Sequence, residues 1–100
     1  TVPPDPAQGK TVAQGAGCTG CHTTDGSAGI GPTWLGLFGK QETLASGGTV
    51  TVDDAYLRES IVDPGAKAVQ GFAPGIMPAG FGQVLSWADI AAIIAYIKSL

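Results

Sequence analysis

Both cysteines and the only histidine of this 100-residue chain fall in a single run, Cys18-Thr19-Gly20-Cys21-His22. That concentration matters because the rest of the chain is poorly equipped to order itself. Gly 16 and Pro 7 lie well above average usage, and each glycine loses more backbone freedom on folding than any other residue. Aromatic residues supply only 7% of the chain. A length of 100 residues allows one domain and one core, and a core so loop-rich needs a staple such as a metal, a disulfide or a cofactor. The 44% hydrophobic fraction is enough to offset ordering entropy and excludes a disordered acidic tail.

The motif narrows the choice of staple. A disulfide between Cys18 and Cys21 would close a very small loop and constrain the unfolded chain little. Zinc wants about four protein ligands, and beyond Cys18, Cys21 and His22 the chain has no further Cys or His. A thioredoxin-like dithiol belongs in a strand-helix-strand setting that is not visible here. The Cys-x-x-Cys-His spacing fits c-type haem attachment. Two thiols add across the two haem vinyl groups, and the next imidazole falls under the iron as its proximal ligand. A redox dithiol and a zinc site are the competing readings.

Other function classes are excluded by charge and hydropathy. Charged residues are 13% of the chain with a net charge of -3, so no basic face is available for nucleic acid. No apolar stretch approaches the roughly 18 residues of a membrane span, so this piece does not insert in a bilayer by itself.

Along the chain, Thr1 to Pro6 holds three prolines and reads as an extended linker remnant (residues 1–6) ahead of a single domain at 7–100. With no initiating Met and no signal-like segment, the chain is expected to be trimmed from something longer. Ala7 to Ala16 is a helix candidate that delivers the chain into Cys18. Thr23 to Gly36 reads as loop with a turn at Gly31-Pro32, and residues 43–45 and 49–51 as a small hairpin around Gly47-Gly48. Thr51 with Asp54 resembles a capping box for a helix carrying Leu57 and Ile61, ended by Asp63-Pro64. Gly65 to Val84 reads as a long loop. Ser86 with Asp89 opens a last helix in which Ile90, Ile93, Ile94 and Ile97 share a face. The expected fold is all-α: three or more short helices, with loops that wrap a flat cofactor.

Met77, the sole methionine, admits two readings. A methionine is often a flexible core filler. Here it stands outside any amphipathic helix, in Pro74-Gly75-Ile76-Met77-Pro78, where the following proline stiffens its backbone. A soft, neutral thioether favours ferrous iron and raises a haem potential, so the axial-ligand reading is preferred. Lys67 is the other candidate near this loop.

The Cys18 to His22 motif, the Gly31-Pro32-Thr-Trp34-Leu-Gly36-Leu-Phe38-Gly39 run, Met77-Pro78 and Ile94-Ala-Tyr96-Ile-Lys98 together resemble the class I cytochrome c family over nearly the whole chain. Tyr56 to Ile61, the Asp63-Pro64 stop and the Gly71 to Pro78 loop look most like the cytochrome c domain fused to subunit II of bacterial haem-copper oxidases. The resemblance implies one covalent haem c, held by Cys18 and Cys21, with His22 and Met77 as iron ligands. It implies that the Pro32 carbonyl takes the His22 Nδ1 proton, and that Gly9 lets the first helix cross the last near Tyr96. Trp34 or Lys40 would stand in for a propionate-binding tryptophan whose place is taken by Val52, and Ser60 stands where mitochondrial relatives carry a tyrosine near the methionine. Phe38, Phe72 and Phe81 are expected in the core and pocket lining, Arg58 in solvent.

The function so implied is one-electron transfer, with no bond chemistry by the protein itself. The expected partners are a redox protein donor and, in the oxidase-fused reading, the dinuclear copper domain of the oxidase as acceptor, reached across a haem edge framed by Thr19, Gly20, Ile76 and Ala79. The alternatives are a free-standing soluble carrier, and a haem enzyme or gas sensor in which Met77 leaves the iron. The expected location is the periplasmic or outer face of a bacterial plasma membrane, tethered through a missing N-terminal part.

Overall fold

A computed structural model describes residues 3–100. Thr1 and Val2 of the expected linker lie outside the described residues. The elements in order are α1 (Pro6–Gly15), a 3-10 turn (Cys18–Gly20), β1 (Gln41–Thr43), β2 (Thr49–Thr51), α2 (Asp54–Val62), α3 (Phe81–Val84) and α4 (Trp87–Ser99).

Helix α1 starts at Pro6, one residue before the expected start. Proline is pre-shaped for the first turn, where a missing N–H costs nothing, and the Asp5 carboxylate caps the helix by accepting from the Ala7 amide at 3.0 Å. At its other end, Gly17 adopts φ +85° and turns the chain toward Cys18. Helix α4 has the expected capping box: the Ser86 hydroxyl accepts from the Asp89 amide, and the Asp89 carboxylate accepts from the Ser86 amide.

The two terminal helices pack across each other at Gly9. A Cβ on Gly9 would sit 1.9 Å from the Ala92 carbonyl oxygen and 2.9 Å from the Tyr96 Cβ, so the backbones approach to a distance only glycine permits. Ala13 of α1, Ile90, Ile93, Ile94 and Ile97 of α4, and Leu57 and Ile61 of α2 form the core with Trp34, Leu37 and Val52. Each isoleucine fully buried there contributes about 1.5–3 kcal/mol.

Three sequence expectations are corrected. The hairpin pairs Gln41–Thr43 with Thr49–Thr51, two residues earlier on its first strand than expected. Leu44 leaves the β1–β2 ladder and forms an antiparallel bridge with Val69 instead, while its amide donates to the Gly48 carbonyl and its carbonyl accepts from Gly47. The cap of α2 is Asp53, whose carboxylate accepts from the Tyr56 amide at 2.8 Å; Thr51 is still in β2. The expected loop from 65 to 84 ends in the short helix α3, entered through Gly80 at φ +106°. This segment is tied back to the hairpin by Ala45 donating to Ala68 and Gln70 donating to Thr43.

Candidate cofactor-binding site

The 3-10 turn brings the motif together. Amides of Cys21 and His22 both donate to the Cys18 carbonyl, at 3.2 and 3.0 Å, which coils the segment and leaves both half-buried thiols, unpaired with each other, on the wall of one cavity. Burial pushes the Cys18 thiol up from its ordinary pKa, helped by Cys21.

The following loop folds back on this turn. Gly31 donates to the Cys21 carbonyl at 3.0 Å and Trp34 donates to Thr23 at 2.8 Å. Pro32 and Trp34 are thereby delivered to opposite tasks on one imidazole. His22 Nδ1 donates to the Pro32 carbonyl at 2.8 Å; a carbonyl can only accept, so the proton is on Nδ1 and Nε2 keeps its lone pair. The Trp34 indole stacks on the ring with centroids 5.2 Å apart, and meets Tyr96 edge-on at 6.1 Å. Burial lowers the His22 pKa, with the Pro32 bond acting against it. The ring is thus held neutral, oriented and ready to donate a lone pair.

The cavity itself has a volume of about 290 Å³, near the lower edge of the roughly 300–1,000 Å³ of ligand sites. Cys18, Cys21, His22, Pro32, Trp34 and Met77 all line it, so the expected thioether and axial residues are brought to one place with two of their expected supports. Leu57, Ile61, Phe72 and Phe81 make much of the wall apolar. Phe38 departs from expectation: it lies at the surface beneath the Lys98 ammonium, 4.9 Å from its ring centroid. Lys67 also lines the cavity, but its ammonium is engaged by the Glu59 carboxylate. Ser60 donates to the Tyr56 carbonyl at 2.8 Å. Of the four residues expected to frame a haem edge, Ile76 is on the cavity wall and half-exposed, while Thr19, Gly20 and Ala79 lie outside it.

Glu42 was not anticipated. It is 7% exposed, lines the cavity and has one carboxylate oxygen, Oε1, without a hydrogen-bond partner. In sequence it is one more polar residue in Gln-Glu-Thr; the strand alternation that turns it inward exists only once the hairpin register is known.

The family model for cytochrome c matches residues 6–100. The chain belongs to the cytochrome c family. Among its relatives, cytochrome c2 iso-1 of Magnetospirillum molischianum is 35% identical over 95 residues, covering 83% of this chain and 89% of the relative. Cytochrome c2 of Rhodoplanes tepidamans is 30% identical over 94 residues, covering 83% and 90%. The solved structure of cytochrome cH from Methylobacterium extorquens superposes with a TM-score of 0.66 at 28% identity, covering 96% of this chain and 99% of that one. The fold is therefore the class I cytochrome c fold, and the cofactor of this cytochrome is one covalent haem c. The residues present fit that group: two free thiols, an imidazole with an unshared lone pair and a lone thioether line one largely apolar cavity.

Proposed function

We propose that this cytochrome is a free-standing one-electron carrier with His22 and Met77 as its axial iron ligands and Cys18 and Cys21 as its thioether anchors. The observation that carries the proposal is the convergence of His22, its Nε2 unengaged, and Met77 on a single cavity. When bound, the haem supplies a one-electron couple on iron. The protein's residues orient, enclose and tune it. Pro32 and Trp34 hold the His22 ring, and the apolar wall excludes water. Met77 offers a soft donor from a loop stiffened by Pro74 and Pro78.

The enzyme and gas-sensor alternatives draw less support. Among the cavity-lining residues there is no arginine, and His22 is the only imidazole; a bound peroxide would lack the usual polarising groups. Of the two carrier settings, the free-standing one is favoured because the relatives named above are cytochromes c2 matched over about nine-tenths of their own length. The relay to the dinuclear copper of an oxidase rests on the likeness of Tyr56 to Ile61, the Asp63-Pro64 stop and the Gly71 to Pro78 loop, with the proline-rich start read as a severed fusion. Within that segment Asp5 and Pro6 serve as cap and first turn of α1. No helix among the described residues is long and apolar enough to cross a membrane, and thioether formation outside the cytoplasm supports a periplasmic carrier exchanging electrons with redox proteins.

A potentiometric titration tests the function. A single reversible one-electron couple, with no consumption of added peroxide, is the expected outcome. Sustained peroxide turnover would replace the carrier by an enzyme.

A further inference from the structure

Strand β1 alternates exposed, buried, exposed across Gln41, Glu42 and Thr43. The inward place of such a strand normally goes to an apolar residue, yet here it holds a carboxylate, the one charged side chain buried among the described residues. Its partner is the Lys40 ammonium, 3.2 Å from Oε1 but without hydrogen-bond geometry, on a side chain that is 60% exposed. A buried carboxylate paired only with an exposed cation is a poor source of stability: a well-packed apolar substitute usually does as well or better. The carboxylate's surroundings point inward instead. Tyr56, Ser60 and Lys67 line the same cavity. The Tyr56 phenol is held above its ordinary 10.0 by burial first, with the Glu42 charge adding and Ser60 and Lys67 opposing.

We propose that Glu42 is a potential-setting residue, whose charge on the cavity wall stabilises the ferric over the ferrous state, with Lys40 partly offsetting it. This rests on the haem-carrier reading above. Loss of an electron adds one positive charge to the iron centre. A fixed negative charge in a poorly polarisable wall lowers the energy of that state more than of the reduced one. Glu42 exchanges no electron and touches no substrate; it acts through the field it imposes. The other charged groups around it are Lys40 before β1, Glu59 of α2 and Lys67 of the following loop, the last two paired with each other.

The test is the midpoint potential of the haem-loaded protein at constant pH and ionic strength. Glu42→Gln keeps the shape and removes the charge. It is expected to raise the midpoint, moving the reduction equilibrium several-fold toward the ferrous form, while the visible spectrum stays that of the wild type. Lys40→Gln is expected to move the midpoint in the opposite direction, and Glu42→Asp to stay near the wild type. Loosened packing that admits water favours the ferric state and lowers the midpoint, so a rise in Glu42→Gln is not explained by structural damage. An unchanged or lowered midpoint in Glu42→Gln with an intact spectrum overturns the proposal. If Glu42→Gln yields no haem protein, Lys40→Gln decides: a fall supports the proposal and no change overturns it. A wild-type protein that shows no one-electron couple overturns the carrier reading itself, whereas a normal couple with unmoved variants overturns only the role of Glu42.

Discussion

Gly31 lies so close to His22 that a methyl group there would stand 2.6 Å from the ring's Cε1 and 2.9 Å from its Nδ1. The same turn supplies the Pro32 carbonyl that takes the Nδ1 proton. Orientation of the imidazole and absence of a side chain at residue 31 are therefore one requirement. Gly31→Ala is expected to rotate or displace the ring, costing about 1–3 kcal/mol as other forced overpackings do, and to alter the ligand-sensitive spectrum of the haem-loaded protein. Denaturant melts and absorption spectra check it; a variant matching the wild type in both would show that the ring has room to spare.

Gly9 and Gly15 sit on the same helix and separate packing from propensity. A Cβ at Gly9 collides with the Ala92 carbonyl, backbone that cannot swing away, whereas at Gly15 nothing lies within 4 Å. Gly9→Ala is expected to destabilise by about 3 kcal/mol, the upper part of the usual overpacking cost. Gly15→Ala is expected to stabilise by up to about 1 kcal/mol through helix propensity. Chemical denaturation of both variants measures the contrast.

How much of this was legible in the sequence follows the range of the forces involved. The Ser86–Asp89 box and the Ile90, Ile93, Ile94, Ile97 stripe are local patterns, and the structure reproduces them; the Cys18 to His22 motif is equally local, and its two thiols and imidazole all reach one cavity wall. The hairpin starts earlier than its apolar pattern suggests because Leu44, extended as expected, bridges Val69 of a distant loop instead of extending the β1–β2 ladder. Helix α3 has no side-chain cap, so nothing in Gly80-Phe81-Gly82 announces it. Phe38 looked like lining by hydrophobicity alone, and only the tertiary fold sets it under Lys98. Gly9 and Pro32 were readable through family resemblance, since neither crossing nor carbonyl direction is written in local composition. Glu42 was invisible for the same reason as the hairpin register on which it depends.

The loop bearing Met77 gains little order from its own backbone. Segment 73–80 makes few backbone hydrogen bonds with the rest of the chain; the Gly80 carbonyl accepts from Gln83, where α3 begins. Its amides should exchange with solvent rapidly in protein prepared without haem and become protected once haem is attached, while α4 is far less affected, because weakly bonded segments open at low free energy. Hydrogen exchange read by mass spectrometry distinguishes the two forms. Equal protection in both would mean that the loop is ordered by the chain alone.

Closure of the iron by Met77 is the centre of the carrier assignment, and carbon monoxide tests it most directly. Added to the reduced, haem-loaded wild type, it is expected to leave the absorption spectrum unchanged, because His22 and Met77 fill both axial positions. Met77→Ala is expected to bind it readily and to show a lower midpoint. Prompt carbon monoxide binding by the wild type, or an indifferent Met77→Ala, would contradict the assignment.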